Sequence, residues 1–314
     1  MPHASTAVVF EAPGQLSVRD VMLPALTDQD CLVEVIHSGI STGTERLLWT
    51  GDMPAFPGLE YPLVPGYESV GRVIECGSAG DLKPGQAVFI PGSRGFTDVA
   101  GLFGGAAKYL MVPTSRLIVL PGEPREASVL LALIATAVHA VRRLGAERTP
   151  ELIIGNGVLG RLVARVSSAM GARQMTQWEH HPERMTSAVS EVVREQDDPR
   201  RDYQTVIDVS GDVSIINQAV SHMGPNSTVV LAGFYHLPVT FDFAPAFMRE
   251  LDVRIAAEWQ LTDMTLAAQL LADDLLVIDD LITHRFAALD AASAYQEAFT
   301  NPLCLKTVLD WSVL

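Results

Sequence analysis

As far as about residue 125 the chain alternates apolar and polar positions in short runs broken by Gly and Pro, the period-two pattern of half-buried strands. Ala7–Phe10, Cys31–His37, Val70–Cys76, Ala87–Ile90, Tyr109–Val112 and Leu117–Leu120 are the predicted strands. Ala12-Pro-Gly and Lys83-Pro-Gly punctuate them, and Pro84 pre-sets its turn dihedral. This half reads as a small β-barrel or sandwich.

From Ser128 the period changes. A helix is predicted over Ser128–Leu144, a buried strand at Glu151–Ile154 and a helix at Leu159–Met170. Strands at Gln174–Trp178 and Thr205–Val209, a helix at Ile215–Met223 and a strand at Ser227–Ala232 follow. Val253–Ala256 reads as a strand, Leu266–Leu275 as a helix and Lys306–Asp310 as a last strand. Alternating β and α elements predict a doubly wound parallel sheet, so the fold class is α/β. The expected domains are 1–127, 128–284 for dinucleotide binding, and a return segment, 285–314, packing on the first.

Glu151-Leu-Ile-Ile-Gly155-Asn156-Gly157-Val158-Leu159-Gly160 is a Gly-x-Gly-x-x-Gly set directly after a buried strand and opening a helix. Gly155 suits the tight turn, Gly157 lets backbone approach a pyrophosphate, and Gly160 permits close helix–strand packing. The unpaired N–H groups and positive dipole of the helix N-terminus complete an anion site. Glu179 lies 19 residues beyond Gly160, at the end of the next strand. A carboxylate there accepts hydrogen bonds from ribose hydroxyls and repels a 2′-phosphate, which favours NAD as cofactor, although His180 and His181 beside it temper the argument. A solvated Glu at a strand end is the alternative. Ser210, after the Ile207-Asp-Val strand, is a further candidate cofactor contact.

Composition narrows the classes. With 48% apolar and 19% charged residues over 314 positions there is material for two cores. A net charge of −15 repels phosphate backbones and anionic lipid, so no nucleic-acid partner is expected. The N-terminus has neither the basic region nor the apolar core of a signal peptide. The longest apolar run, Val129–Val141, falls short of the roughly 20 residues of a spanning helix, so the expected location is cytoplasmic. Cys31, Cys76 and Cys304 are far apart in sequence and read as small buried hydrophobes in a reducing compartment, neither a disulfide framework nor a Cys-rich zinc site.

Several segments together resemble the medium-chain dehydrogenase/reductases, the family that includes zinc alcohol dehydrogenases. His37-Ser-Gly-Ile-Ser41-Thr-Gly-Thr44 is similar to the segment with the family's first catalytic zinc ligand. Pro65-Gly-Tyr67-Glu68-Ser-Val-Gly is similar to Pro-Gly-His-Glu-x-x-Gly, Gly104-Gly-Ala-Ala-Lys-Tyr to Gly-Gly-x-Ala-Glu-Tyr, and Ala135-Thr136-Ala to the stretch before the Rossmann strand. The resemblance implies a GroES-like β-barrel catalytic domain plus a Rossmann domain, an NAD-dependent oxidoreductase and a homo-oligomer. Where the family has Cys, His and Cys on zinc, this chain has Ser41, Tyr67 and Ala132, and Gly92–Lys108 contains no cysteine for a structural zinc. A hydroxyl, a phenol and a methyl group do not supply the donors zinc needs, so no bound metal is expected.

Within the family, Ser41 to Glu68 with Gly233-Phe234-Tyr235 and Ala257-Glu-Trp is similar to the branch acting on bacteriochlorophyllides. That implies oxidation of a 3-(1-hydroxyethyl) group to 3-acetyl on a hydrophobic tetrapyrrole. Family position then implies that Glu45 and Glu68 flank the vacated metal site as candidate proton acceptors, with Glu68 alternatively bracing the loops. Tyr67, Ser41 and Thr44 are candidates for orienting the substrate hydroxyl. His37 and His139 are alternative bases, although a satisfied core histidine is the commoner role for each in its setting. Thr136, Gly233, Phe234 and Tyr235 are expected near the nicotinamide. Leu47, Leu48, Trp49, Met53, Phe56 and Trp259 are candidates to line an apolar cleft for the macrocycle, with core packing as the alternative for each, and such a substrate also suggests transient membrane contact. A zinc-free quinone or enone reductase using NADPH and a non-catalytic dinucleotide-binding protein are the competing functions.

Overall fold

Strand Asp30–Ile40 is apolar at most positions, and the computed structural model, which describes residues 4–93 and 95–314, shows the reason: the strand is a hub. Lys306–Asp310, Ser69–Cys76 and Tyr109–Pro113 all pair with it antiparallel. Ile282–Ala287, Ala87–Ile90 and Ile118–Val119 extend the sheet at its two ends. A second sheet runs Gln15–Met22, Ala4–Ala12, Leu63–Pro65, Ala100–Leu102. Phe10, Ile40, Leu48, Leu63, Tyr295 and Trp311 fill the core of this β unit.

Contacts divide the chain into Met1–Ala132 with Ile278–Leu314, and Leu133–Val277. The C-terminal segment enters the first unit as a parallel pair, Ile282–Ala287 and Lys306–Asp310, linked by helix Ala291–Thr300. Thr307 stands opposite Ile40, which sets Lys306 beside Ser41.

Three sequence expectations are corrected here. Cys31 and Cys76 are not separate thiols: they face each other in register across two paired strands, Cα atoms 4.0 Å apart, and form a disulfide. Antiparallel pairing closes a separation of 45 residues, which spacing in the sequence does not reveal. Cys304 stands outside it, buried, with Sγ 3.1 Å from Thr307 Oγ1. His37 does not end its strand, because pairing with Lys306–Asp310 carries that strand on to Ile40. The helix predicted from Leu266 starts at Leu261, where Gln260 and Asp263 form a reciprocal capping box, and ends at Ala272.

The second unit holds a parallel sheet. Its strands in chain order are Leu152–Ile154, Thr176–Trp178, Glu191–Val193, Tyr203–Asp208, Met223–Leu231 and Asp252–Ile255. In space they run third, second, first, fourth, fifth, sixth, the doubly wound dinucleotide-binding order. The switch point lies between Leu152–Ile154 and Tyr203–Asp208. Ligands of such sheets bind beyond the strand ends there. The apolar run before the first strand is a 3₁₀ turn, Glu126–Leu130, followed by helix Leu131–Arg142. Among the described residues no helix is long and apolar enough to cross a membrane.

Candidate active site

At the switch point the glycine set has the geometry its spacing demands. Gly155 has φ +102°, a conformation open to glycine and costly to other residues. A Cβ on Gly160 would lie 2.0 Å from the Gly155 carbonyl oxygen, so only glycine lets helix Val158–Ala169 approach its strand. Gly157 is the N-cap and offers no side chain, so the first-turn N–H groups at Val158, Leu159 and Gly160 have no side-chain cap. Asn156 donates Nδ2 to the carbonyls of Arg184 and Thr186, while its buried Oδ1 has no donor among the described residues. A helix N-terminus without a side-chain cap, beside the open space that a Cβ at Gly157 would take up, fits a dinucleotide pyrophosphate.

Glu179 is not a solvated strand end. Its side chain is buried, and the carboxylate accepts the N–H groups of Asn156 (3.2 Å), His180 (2.8 Å) and His181 (2.9 Å). The acid thereby joins the glycine loop to the end of the second strand. Across the switch point, Asp208 is fully buried and accepts the N–H of Ser210 and the phenol of Tyr235, each at 2.8 Å. Burial pushes the Asp208 carboxyl up, and its backbone carbonyl takes the N–H groups of Ala232 and Gly233. Tyr235 thus ties the loop after Met223–Leu231 to the end of strand Tyr203–Asp208, whereas Phe234 and Ser210 are exposed. Thr136 is half-buried on helix Leu131–Arg142. On the same helix His139 is held by Asp263, with Nδ1 2.8 Å from Oδ2, and Arg142 binds the other carboxylate oxygen. Arg142 and Asp263 thus form an ion pair whose carboxylate also holds the His139 ring.

The β unit gathers the rest. Ser41 follows the hub strand, Thr44 and Glu45 open helix Thr44–Thr50, and Tyr67 and Glu68 join Leu63–Pro65 to Ser69–Cys76. Tyr67 Oη donates to Ser41 Oγ at 2.8 Å. Glu45 is buried, and its carboxylate accepts the Ser41 N–H at 3.0 Å and the Tyr295 phenol at 2.5 Å. Glu68, also buried, pairs through Oε2 with Lys306 Nζ at 2.6 Å, while Oε1 has no partner among the described residues. A Cβ at Gly39 would press to 2.5 Å from Glu68 Oε2, so that glycine makes room for the carboxylate. Burial raises Glu45 to about 7 and drives the Tyr67 phenol well above its ordinary range. His37, mid-strand, has Nδ1 3.9 Å from Asp310 Oδ1, and burial pushes the imidazole down. Tyr295 and Lys306 belong to no motif, and sequence reasoning missed both.

Zinc does not fit these residues. At the positions of the resembling family's ligands stand a hydroxyl and a phenol hydrogen-bonded to each other, and the buried methyl of Ala132. Among the described residues no three His, Cys, Asp or Glu side chains form a metal-binding group. The residues offered for an apolar cleft divide between core and surface. Leu48 and Met53 are buried in the core, Leu47 and Trp49 pack on it, and Trp49 meets Phe10 edge to face. Of the β-unit residues proposed for the cleft, Phe56 is the exposed one.

Residues 27–122 match the alcohol dehydrogenase GroES-like domain. The fold is shared with 2R,3R-butanediol dehydrogenase from Bacillus subtilis, at TM-score 0.85 and 18% identity over 98% of this chain and 99% of that one. Galactitol-1-phosphate dehydrogenase from Escherichia coli superposes at TM-score 0.83 with 22% identity, over 97% and 99% of the two chains. Sequence relatives lie nearer. A 2-desacetyl-2-hydroxyethyl bacteriochlorophyllide A dehydrogenase from Rhodobacter capsulatus is 47% identical over 97% of each chain, and one from Cereibacter sphaeroides is 45% identical over 98% of each. Identity at that level along both units places the chain in the bacteriochlorophyllide dehydrogenase family, a branch of the alcohol-dehydrogenase-like medium-chain dehydrogenases.

Proposed function

We propose that this protein oxidises the hydroxyethyl side chain of a bacteriochlorophyllide to acetyl, using NAD and no metal. The observation that carries the reading is the Ser41–Tyr67 hydroxyl pair backed by buried Glu45, standing where zinc members of the family hold their metal. The full-length relatives bear the name of this activity.

The reaction removes a proton from the carbinol oxygen and a hydrogen with its electron pair from the carbinol carbon, leaving a ketone. When bound, the nicotinamide supplies the acceptor for that electron pair. The glycine loop from Gly155 to Gly160 holds the pyrophosphate at backbone N–H groups, while Glu179 and the edge formed by Thr136, Ser210, Gly233, Phe234 and Tyr235 flank the ends of the cofactor. Ser41 and Tyr67 orient the carbinol oxygen, with Thr44 beside them. Tyr67 stays a neutral phenol, because burial and the charge of Glu68 oppose its ionisation. Glu45 and Glu68 are the acids on which the proton can come to rest. The carbinol carbon is attached to the macrocycle, whose π system spreads the positive charge that develops there, and this relieves the need for a Lewis acid.

The buried charge of Glu179 supports NAD over NADP and argues against an NADPH-dependent enone reductase. The protein acts as a homo-oligomer: Asp252–Ile255 is an edge strand with Val253 and Ile255 exposed, and Phe243, Phe247 and Met248 stand exposed near it in sequence. Its contact with membranes is transient, made through its substrate. Anaerobic incubation with NAD and the hydroxyethyl bacteriochlorophyllide, read by the macrocycle's long-wavelength absorption with and without chelator, tests the proposal. A chelator-insensitive shift to the acetyl product is expected, and tight NAD binding without turnover would return the non-catalytic reading.

A further inference from the structure

Two buried side chains outside every motif bracket the acids of the β unit. Tyr295, on helix Ala291–Thr300, is 1% exposed and donates to Glu45 Oε2 at 2.5 Å. Lys306 is also 1% exposed, and its ammonium reaches Glu68 Oε2 at 2.6 Å and the Ile40 carbonyl at 3.0 Å. They come from sequence positions 250 residues beyond Glu45 and 238 beyond Glu68. We infer that Tyr295 and Lys306 are positioning residues that set the protonation of Glu45, and that Glu45 must be ionised for the hydroxyl oxidation proposed above, on which this inference rests.

Charge counting inside the cluster leads there. Two carboxylates share one ammonium, and the short contact commits Lys306 to Glu68. Among the described residues Glu45 is then the acid without a cation paired to it, in an environment where an uncompensated charge is costly. The groups that face it are the Ser41 N–H from the preceding loop, the Tyr295 phenol from the C-terminal helix, Glu68 and Tyr67 from the segment before Ser69–Cys76, and Lys306 from the last strand. Tyr295 and Ser41 stabilise the ionised form by donating hydrogen bonds, Lys306 does so by charge, and Glu68 opposes it. Burial dominates and raises the acid to about 7, so small changes in these neighbours move its titration across the working pH range. Tyr295 does not compete for the role. Burial and the charge of Glu45 push its phenol far up, so it remains a donor.

The test uses the full-length protein and two readouts: the pH profile of kcat for hydroxyethyl oxidation, and an infrared titration of the Glu45 carboxyl, identified by its absence in Glu45→Gln. In the wild type both should show one limb near neutrality, with activity rising as Glu45 loses its proton. Tyr295→Phe keeps the ring against Phe10 and Phe299 and removes one hydroxyl. It should move both limbs alkaline by about one pH unit, a loss approaching tenfold on the acid side that high pH recovers, with KM for the cofactor unchanged. Lys306→Met should shift them the same way, and Glu68→Gln combined with Lys306→Met should shift them back, because the opposing charges leave together. That double variant also leaves the net charge of the cluster unchanged, which keeps the test open if Lys306→Met alone fails to fold. An unmoved infrared titration in folded Tyr295→Phe overturns the inference, as does a wild-type kcat limb that does not follow the infrared one. Absence of any turnover with a shifted infrared titration would instead sink the proposed reaction and leave the positioning role standing.

Discussion

Tyr67 donates its phenolic hydrogen to Ser41 Oγ at 2.8 Å, so two positions that hold metal ligands in zinc-dependent relatives are here bound to each other. The bond fixes both hydroxyls without a cation between them. Activity is therefore expected to survive exhaustive dialysis against chelator, and elemental analysis should find well under one equivalent of zinc. Tyr67→Phe should lower kcat about fivefold while shifting Tm little, since one neutral hydrogen bond is worth roughly 1 kcal/mol. Loss of activity on chelation, restored by zinc, would refute the metal-free reading.

The glycine loop separates two reasons for having glycine. A Cβ on Gly160 would meet the Gly155 carbonyl at 2.0 Å, whereas one on Gly157 meets no atom nearer than Arg184 Nη1 at 3.7 Å. Gly160→Ala should cost about 1–3 kcal/mol of stability through overpacking. Gly157→Ala should leave Tm within a degree or two and weaken cofactor binding at least about tenfold, because its space is needed by the ligand alone. Unchanged cofactor affinity in Gly157→Ala, measured by fluorescence titration, would remove the pyrophosphate from this loop.

Glu179 serves fold and specificity together. Three backbone N–H groups point at its carboxylate, so Glu179→Ala should both destabilise the loop and blur cofactor choice. Glu179→Gln keeps an acceptor oxygen and removes the charge. It should retain most of the stability while the ratio of kcat/KM for NAD to that for NADP falls about tenfold or more. A ratio that stays put in Glu179→Gln would place discrimination elsewhere.

What could be read from the chain follows from the range of each interaction. Gly155, Gly157 and Gly160 announce themselves because the tight turn and the close helix approach that require them are completed within a few residues. Strand Leu152–Ile154 and helix Val158–Ala169, directly on either side, supply the context that makes the motif specific. Strand Gln15–Met22 escaped notice because it buries little and mixes Arg19 and Asp20 into its face. Helix Ala291–Thr300 buries Ala291, Ala294, Tyr295 and Ala298 at helical spacing, yet small alanines give that stripe a weak apolar signal. The Cys31–Cys76 bond, the Glu45–Tyr295 bond and the Glu68–Lys306 pair share one property. Each depends on strand register or domain return, which no local pattern encodes.

Glu45 yields a stability prediction of definite sign. Its folded-state pKa, raised by burial to about 7, lies above the value of about 4.3 for an exposed Glu. The native state therefore binds a proton more readily than the unfolded chain, and stability falls as pH rises between those values. The cost of ionising Glu45 in place is present in full above about pH 7 and amounts to about 2–4 kcal/mol. Glu45→Gln retains an acceptor for the Ser41 N–H and carries no charge, so urea titration should find it more stable than the wild type above pH 7 and level with it near pH 4. The same variant should lose most of its hydroxyl oxidation at every pH, since the acid that burdens the fold is the one the reaction needs. Equal stabilities across the whole pH range would show that Glu45 is ionised without penalty, and with it would go the case for a buried acid poised at neutrality.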